Sequence, residues 1–310
     1  MGYALTTMAE SSVVIANAFH HVAWGTPISV YFWLVGASAG SFVISSFGWV
    51  FGIKRYKPLA MTASLQAIVL LLIVPILLIW DLGKPVRFIY LMLPGYWHST
   101  GPMAWGSLLI FSYPISMIVY VWFVMKNDLF WAKTTGIIAI VLAISTHWYT
   151  GVVMELNPGR FINHTALAPL LFLTGAFISG IGLLILILWV QNMIVAVKKR
   201  IDWSLMEEMA QYMMYGIVFD CFLLFLEFMQ TFYGNQHELE GHETVLMGIF
   251  RFPYLWLELV IGLIIPFFIL VSPLKRNKYG IILASFLVAI GVYGMRVWWV
   301  MGGQYMQTFF

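Results

Sequence analysis

The sequence predicts an all-α integral membrane protein whose eight transmembrane helices form two four-helix bundles, with both termini on the outer side. Three observations carry that expectation. The 310-residue chain is 62% hydrophobic and only 9% charged, whereas soluble domains carry about 25% charged residues. Its apolar residues fall into eight continuous runs. Its basic residues gather in every second connection between those runs.

A helix needs about 20 apolar residues to cross the hydrocarbon, which places the runs at about 28–50, 59–81, 103–125, 134–154, 167–192, 209–233, 248–272 and 279–302. The whole chain, 1–310, reads as one transmembrane domain. Barrel strands alternate in polarity and are about half as long, so helices are the spanning form. The N-terminus lacks the basic, apolar and small-residue pattern of a cleaved signal, so span 1 is expected to serve as the insertion signal. The 14 Trp residues suit a protein with two membrane–water interfaces.

Orientation follows from the connections. Those after spans 1, 3, 5 and 7 hold Lys54, Arg55, Lys57, Lys126, Lys133, Lys198, Lys199, Arg200, Lys275, Arg276 and Lys278, eleven of the 16 basic residues. Lys84, Arg87, Arg160, Arg251 and Arg296 fall on the other side. Basic residues stay cytoplasmic, so both termini are expected outside a cytoplasmic membrane.

A shift of 151 residues superposes Pro102 on Pro253, Trp105 on Trp256, Trp148 on Trp299 and Gly151 on Gly302. Spans 3–4 thereby match spans 7–8 in the same direction, which implies two parallel four-helix halves. Some transporters carry such repeats, so the repeat alone selects no function.

Polar residues collect at one end. His20, His21, His98, His147, His164, His237 and His242 all fall on the expected outer side. Asp81, Glu155, Glu227, Glu258 and Arg296 lean the same way, and Asp220 falls nearest mid-depth. A charge in hydrocarbon costs about 2.5–3.5 kcal/mol on insertion scales, so such residues face a partner or a cavity. An ion pair between Glu258 and Arg296 is the simplest structural reading of those two. Asp220 and Glu227, seven residues apart on one helical face, suit a proton path with Glu258 and Arg296.

The one cysteine, Cys221, permits neither an internal disulfide nor an iron–sulfur cluster held by this chain alone. Membrane b-type haem uses histidines within the spans, often in pairs, and only His147 lies well inside one. No haem and no metal site is therefore expected, and no nucleic-acid partner.

The motifs are Tyr31 to Gly40 with Gly36 between them, Trp80-Asp81 with Gly83-Lys84-Pro85 and Arg87, His98 through Gly101-Pro102, Trp105-Gly106-Ser107, Tyr149-Thr150-Gly151, and Arg296 through Gly303-Gln304. In this order they resemble the NrfD/PsrC family, membrane subunits of polysulfide reductase-like complexes. The resemblance covers essentially the whole chain. It implies a haem-free subunit that binds menaquinone or ubiquinone beneath a partner with four [4Fe–4S] clusters. That partner commonly connects to a molybdenum or tungsten bis-pterin subunit acting on polysulfide, thiosulfate or tetrathionate. The family's tyrosine before the span-4 glycine matches Tyr149, and its acidic residue ending span 2 matches Asp81. Its span-1 histidine falls on Tyr31.

Each quinone oxygen needs a hydrogen-bond donor, and each proton a titratable relay. Tyr149 and Tyr31 carry phenolic donors. His147 is a further donor that titrates near neutral pH, but it stands about 200° around the helix from Tyr149, so both cannot face one pocket directly. Tyr149 is the expected direct contact. Asp81 serves either as a relay or as an ion-pair partner of Lys84 or Arg87. Lys84, Arg87 and Arg160, with His21 further upstream, form a rim that meets a partner subunit, a reduced quinone or lipid headgroups. A secondary transporter and a passive anchor are the competing readings. A transporter would concentrate its polar residues at mid-depth.

Overall fold

The computed structural model describes residues 24–305 apart from 92, 94, 95, 97, 99, 157–164, 197–199, 235 and 274–276. Among the described residues eight helices are long and apolar enough to cross a membrane. They are span 1 (Thr26–Trp49), span 2 (Lys54–Asp81), span 3 (Pro102–Met125), span 4 (Leu129–Glu155), span 5 (Ala168–Ile194), span 6 (Trp203–Phe232), span 7 (Phe252–Val271) and span 8 (Lys278–Gln304). His20, His21, Arg160 and His164 lie outside the described residues.

Local chemistry sets the ends. Spans 4 and 6 begin earlier than their apolar runs because Asp128 and Asp202 cap them, accepting from the backbone N–H of Trp131 and Ser204. A cap satisfies donors that the first turn leaves open. Span 3 turns into span 4 through Asn127, whose φ of 55° is tolerated by its short polar side chain. Between spans 6 and 7 lies a further helix, Gln236–Met247, too polar to span.

Span 7 opens as a π-helix, Phe252–Ile264, and tightens to an α-helix at Ile265–Val271. Gly262 lies against Gly291 of span 8, where an added Cβ would stand 2.5 Å from the Gly291 Cα. Two glycines thus let these helices touch backbone to backbone.

Spans 1–4 pack as one ring, 1 on 2, 2 on 3, 3 on 4 and 4 on 1. Spans 5–8 repeat this arrangement. The halves join where span 1 crosses span 5, with span 4 on span 5 and span 8 on span 1. Exchanging span 1 with 5 and span 4 with 8 leaves these contacts unchanged, which is the packing a parallel repeat requires. Gly40 and Gly180 meet at the crossing, and a Cβ on Gly180 would lie 2.6 Å from the Gly40 Cα. Trp105 and Trp256 have matching exposures of 48% and 47%, but Trp148 is 42% exposed where Trp299 is fully buried. The repeat therefore survives in the backbone arrangement and diverges in side-chain environment.

The two ends of the bundle differ. At one end Lys57, Lys126 and Lys278 sit over the rings of Trp49, Trp122 and Trp203, 4.5, 3.9 and 5.5 Å from the ring centroids. Such aromatic–lysine pairs suit an interface, where the stem stays apolar and the ammonium stays wet. The opposite end carries Trp24 and Gln304. The Trp24 N–H donates to Gln304 Oε1 at 2.9 Å, and Gln304 Nε2 returns a bond to the Trp24 carbonyl at 2.8 Å. This reciprocal pair ties the start of span 1 to the end of span 8. The ends are called below the lysine end and the Trp24 end.

Candidate functional site

At the Trp24 end, spans 1 to 4 enclose a cavity of about 160 Å³. Since a water needs roughly 10–15 Å³ by this measure, the space holds on the order of ten water-sized groups, the scale of a one- or two-ring head group. Ile28, Tyr31 and Phe32 line it from span 1, Pro75, Leu78 and Asp81 from span 2, Met103, Gly106 and Ser107 from span 3, and Tyr149 and Val153 from span 4. Phe88 closes it from the 3₁₀ segment Pro85–Leu91, and Trp24 from the side of the Gln304 bond. The wall is mostly apolar, with Tyr31, Asp81, Ser107 and Tyr149 as its convergent polar groups.

Local sequence explains how Tyr149 reaches this space. Its ring rests on Gly106, and any Cβ there would strike the ring and hydroxyl. On the same helix Gly151 lies against Pro169 of span 5, where an added Cβ would be 2.5 Å from the Pro169 Cα. The two glycines thus let span 4 sit close to both neighbours, with Tyr149 filling the gap on the span 3 side. Tyr31 is 4% exposed, with its ring 4.8 Å from that of Phe32, and lies within electrostatic reach of Tyr149. Asp81, at the mouth, is partly exposed. Lys84 and Arg87 are exposed, and neither forms an ion pair with Asp81 among the described residues.

His147 is not on this cavity. It is fully buried on the other side of span 4, with Nε2 2.5 Å from the Phe172 carbonyl oxygen of span 5. A carbonyl only accepts, so Nε2 carries the hydrogen, an assignment made from this geometry. Its Nδ1 is buried without a partner. The Cε1 atom abuts Gly36, where an added Cβ would approach to 2.8 Å. The bond to a neighbouring helix is therefore the observed state of His147.

Arg296 of span 8 shares that carbonyl. It is fully buried, donates from Nη2 to the Phe172 carbonyl at 2.8 Å, and lies 3.3 Å from His147 Nε2. Its guanidinium carbon stands 3.8 Å over the Phe172 ring. The Glu258–Arg296 ion pair does not form. Glu258 instead accepts a short bond from Trp298 Nε1 of span 8, while its Oε1 is buried without a partner. Glu258 lies in the π-helical opening of span 7, and Trp298 follows Arg296 by two residues on span 8. Asp220 accepts from Thr174 Oγ1 of span 5 at 2.6 Å. Glu227 is buried with Oε1 unpartnered. Asp220 and Glu258 lie within electrostatic reach of Arg296, as does Glu227 of both carboxylates. The four residues therefore form one buried polar cluster in the second half, apart from the cavity.

The residues read from sequence thus separate into three places. Tyr31, Asp81 and Tyr149 share the cavity. His147 joins the cluster of Asp220, Glu227, Glu258 and Arg296. Lys84 and Arg87 are exposed beyond Asp81 and do not line the cavity. Sequence reasoning did not pick Trp24, Phe88 or Ser107 as lining residues. The Trp105-Gly106-Ser107 motif carried the signal for the last of these.

Fold and cavity define an eight-span helical membrane protein with a largely apolar, tyrosine-bearing pocket at one end. A family profile described as "Polysulphide reductase, NrfD" matches residues 14–307, and the protein belongs to that family. The C subunit of the selenate reductase of Mesobacillus selenatarsenatis is 25% identical over 90% of this protein and 72% of its own length. The Hdr-like menaquinol oxidoreductase integral membrane subunit of Archaeoglobus fulgidus is 24% identical, over 92% of this protein and 72% of that relative. The membrane-family relative from the polysulfide reductase of Wolinella succinogenes, its C component, is 25% identical, over 92% of this protein and 96% of that relative.

Proposed function

We propose that this protein is the quinone- or quinol-reacting membrane subunit of a multisubunit respiratory oxidoreductase, with the cavity at the Trp24 end as its head-group site. The carrying observation is that spans 1 to 4 bring two phenols and a carboxylate to one mostly apolar pocket. An apolar slot with a few placed polar groups suits an aromatic ring with an isoprenoid tail. A relative whose name includes menaquinol oxidoreductase favours menaquinone over ubiquinone.

When bound, the quinone supplies a two-electron, two-proton couple. Tyr149 donates a hydrogen bond to one head-group oxygen, and Tyr31, deeper in the wall, is the second donor. Asp81 at the mouth takes or returns a proton to water. Phe32, Leu78 and Ile110 keep the ring dry. His147 positions span 4 through Phe172 and does not touch the head group.

An iron–sulfur subunit of the four-cluster ferredoxin-like kind, docked over the Trp24 end, would supply or accept the electrons. Lys84, Arg87, Arg160 and His21 would contribute to its seat. The terminal chemistry then belongs to a molybdenum or tungsten bis-pterin subunit, with polysulfide, thiosulfate or tetrathionate as its substrate class. On the basic-residue pattern, the Trp24 end faces outward from the cytoplasmic membrane. Asp220, Glu227, Glu258 and Arg296 are suited to carry protons through the second half, which would couple turnover to the membrane potential.

The test is the purified complex assayed with a soluble naphthoquinol. Tyr149→Phe and Asp81→Asn are expected to lower quinol-linked turnover while the partner subunits stay bound and their clusters stay reducible by dithionite. Wild-type quinol rates in both variants would refute the assignment.

A further inference from the structure

The two halves meet along spans 1 and 5, and the junctions beside that crossing are not alike. Where span 8 meets span 1, the Trp33 indole N–H donates to the Ala289 carbonyl at 2.9 Å and the ring packs edge-on against Tyr293. The register that places Gly40 on Gly180 brings Leu173 of span 5 to the position of Trp33. There, where span 4 meets span 5, Leu173 lines a hollow of about 520 Å³ between spans 1, 4, 5 and 6. One junction is plugged by an indole, and the other is left open.

A second hollow, of about 500 Å³, lies between spans 1 and 4 nearer the lysine end. The two hollows follow one track. Lys133, Ile137 and Val141 line the lower one and Ile144 the upper, at spacings of four and three residues that keep them on one face of span 4. Span 1 matches them with Val50 below and with Val43 and Ala39 above, again on one face. From Lys133 to Ile144 the helix rises about 17 Å. One leaflet of hydrocarbon is about 15 Å deep, half of the roughly 30 Å core.

The chemistry along the track is that of an amphiphile. Ile137, Val141, Ile144 and Phe219 are exposed, so the track opens sideways to lipid. At its upper end Thr174 has already given its hydroxyl hydrogen to Asp220. Lys133 is the one charged residue lining either hollow, and it is exposed with no ion pair among the described residues. The carboxylates on neighbouring elements are engaged elsewhere, since Asp128 caps Trp131 and Glu208 pairs with Arg55. On span 4 the lined face ends at Ile144, midway along the helix, whereas a partner's transmembrane helix would need a groove across the whole bilayer.

We infer that this track is a binding site for one phospholipid with an anionic head group, taken from the leaflet at the lysine end. The phosphate sits on Lys133, and one acyl chain runs along span 4 to the hollow beside Leu173. The seated chain touches both halves and fastens the junction that has no counterpart to Trp33. The site is separate from the cavity at the Trp24 end and does not rest on the quinone reading.

The test uses the purified complex in nanodiscs of equal parts phosphatidylglycerol and phosphatidylcholine. A high-resolution structure is expected to show one chain along Ile137, Val141 and Ile144, with a phosphate at hydrogen-bond distance from Lys133 Nζ. Native mass spectrometry is expected to find phosphatidylglycerol retained in preference to phosphatidylcholine. Lys133→Gln is expected to reduce that preference about fivefold, the worth of one lysine at a charged membrane surface. Lys126→Gln, whose lysine lies over Trp122 at the same end and lines neither hollow, is expected to keep it. An empty track overturns the inference, and so does a partner's helix or a quinone tail lying in it. An unchanged preference in Lys133→Gln overturns it equally, because the head group would then owe nothing to that lysine.

Discussion

The phenol of Tyr149 rests directly on the bare Cα of Gly106, so a residue of span 3 decides where this span 4 ring stands. Gly106→Ala would place a methyl group inside the space the ring occupies. The ring must then swing or the helices must part, at a cost of about 1–3 kcal/mol for overpacking. The expected outcome is weaker binding of a quinone-site inhibitor with the iron–sulfur partner still attached, read by inhibitor titration and size-exclusion chromatography. Unchanged titration would separate Tyr149 from the binding geometry.

Arg296 holds spans 4, 5 and 8 together through the Phe172 carbonyl. Arg296→Met keeps much of the stem but removes the donor and leaves Asp220 and Glu258 without their nearby cation. The loss is expected to be about 1–3 kcal/mol or more, the cost of stranding buried polar groups. A lowered thermal midpoint in detergent would show it. Arg296→Lys should recover only part, because an ammonium lacks the flat fork that both reaches the carbonyl and covers the Phe172 ring.

Trp298 is the hydrogen-bond donor to Glu258. Trp298→Phe keeps an aromatic ring against Tyr254 but leaves both carboxylate oxygens unpartnered. Destabilisation of about 1–3 kcal/mol is expected. Adding Glu258→Met to that variant removes the stranded group and should restore most of the midpoint, since a buried polar pair is often replaceable by apolar residues of similar volume.

Much of this architecture was legible in the sequence, for a simple reason. Crossing hydrocarbon demands long apolar runs, and the runs predicted all eight spans. The parallel repeat was visible in Trp105 and Trp256, which keep the same half-exposed setting. Tyr149 and His147 were separable by helix geometry alone, because two residues on a helix face nearly opposite ways. What the sequence could not disclose was pairing. Glu258 and Arg296 have opposite charges and similar depth, yet Glu258 turns to an indole and Arg296 to a backbone carbonyl. The π-helical stretch that holds Glu258 has no signature in hydropathy. The early starts of spans 4 and 6 were hidden because their first turns are polar and held by Asp128 and Asp202.

The two halves meet where Gly40 faces Gly180. Gly180→Val would force branched bulk against the backbone of span 1 at Gly40 and Ala37. Close packing drives helix association in lipid, so the halves should separate or the protein should fail to accumulate. A lowered unfolding midpoint in detergent, or greater protease sensitivity between the halves, would register this. Gly83→Ala, which sits at a turn with no neighbour in reach, is the matching control for packing, although its φ of 64° adds local strain of its own.

On the proposed function, a quinone head group occupies the pocket between Tyr31, Asp81 and Tyr149. The most direct measurement is a structure of the assembled complex soaked with a tight-binding naphthoquinone analogue. Ring density is expected among these three residues, with one analogue oxygen at hydrogen-bond distance from the Tyr149 hydroxyl. Density for the analogue elsewhere in the bundle, with the pocket filled by a lipid tail or collapsed side chains, would contradict it.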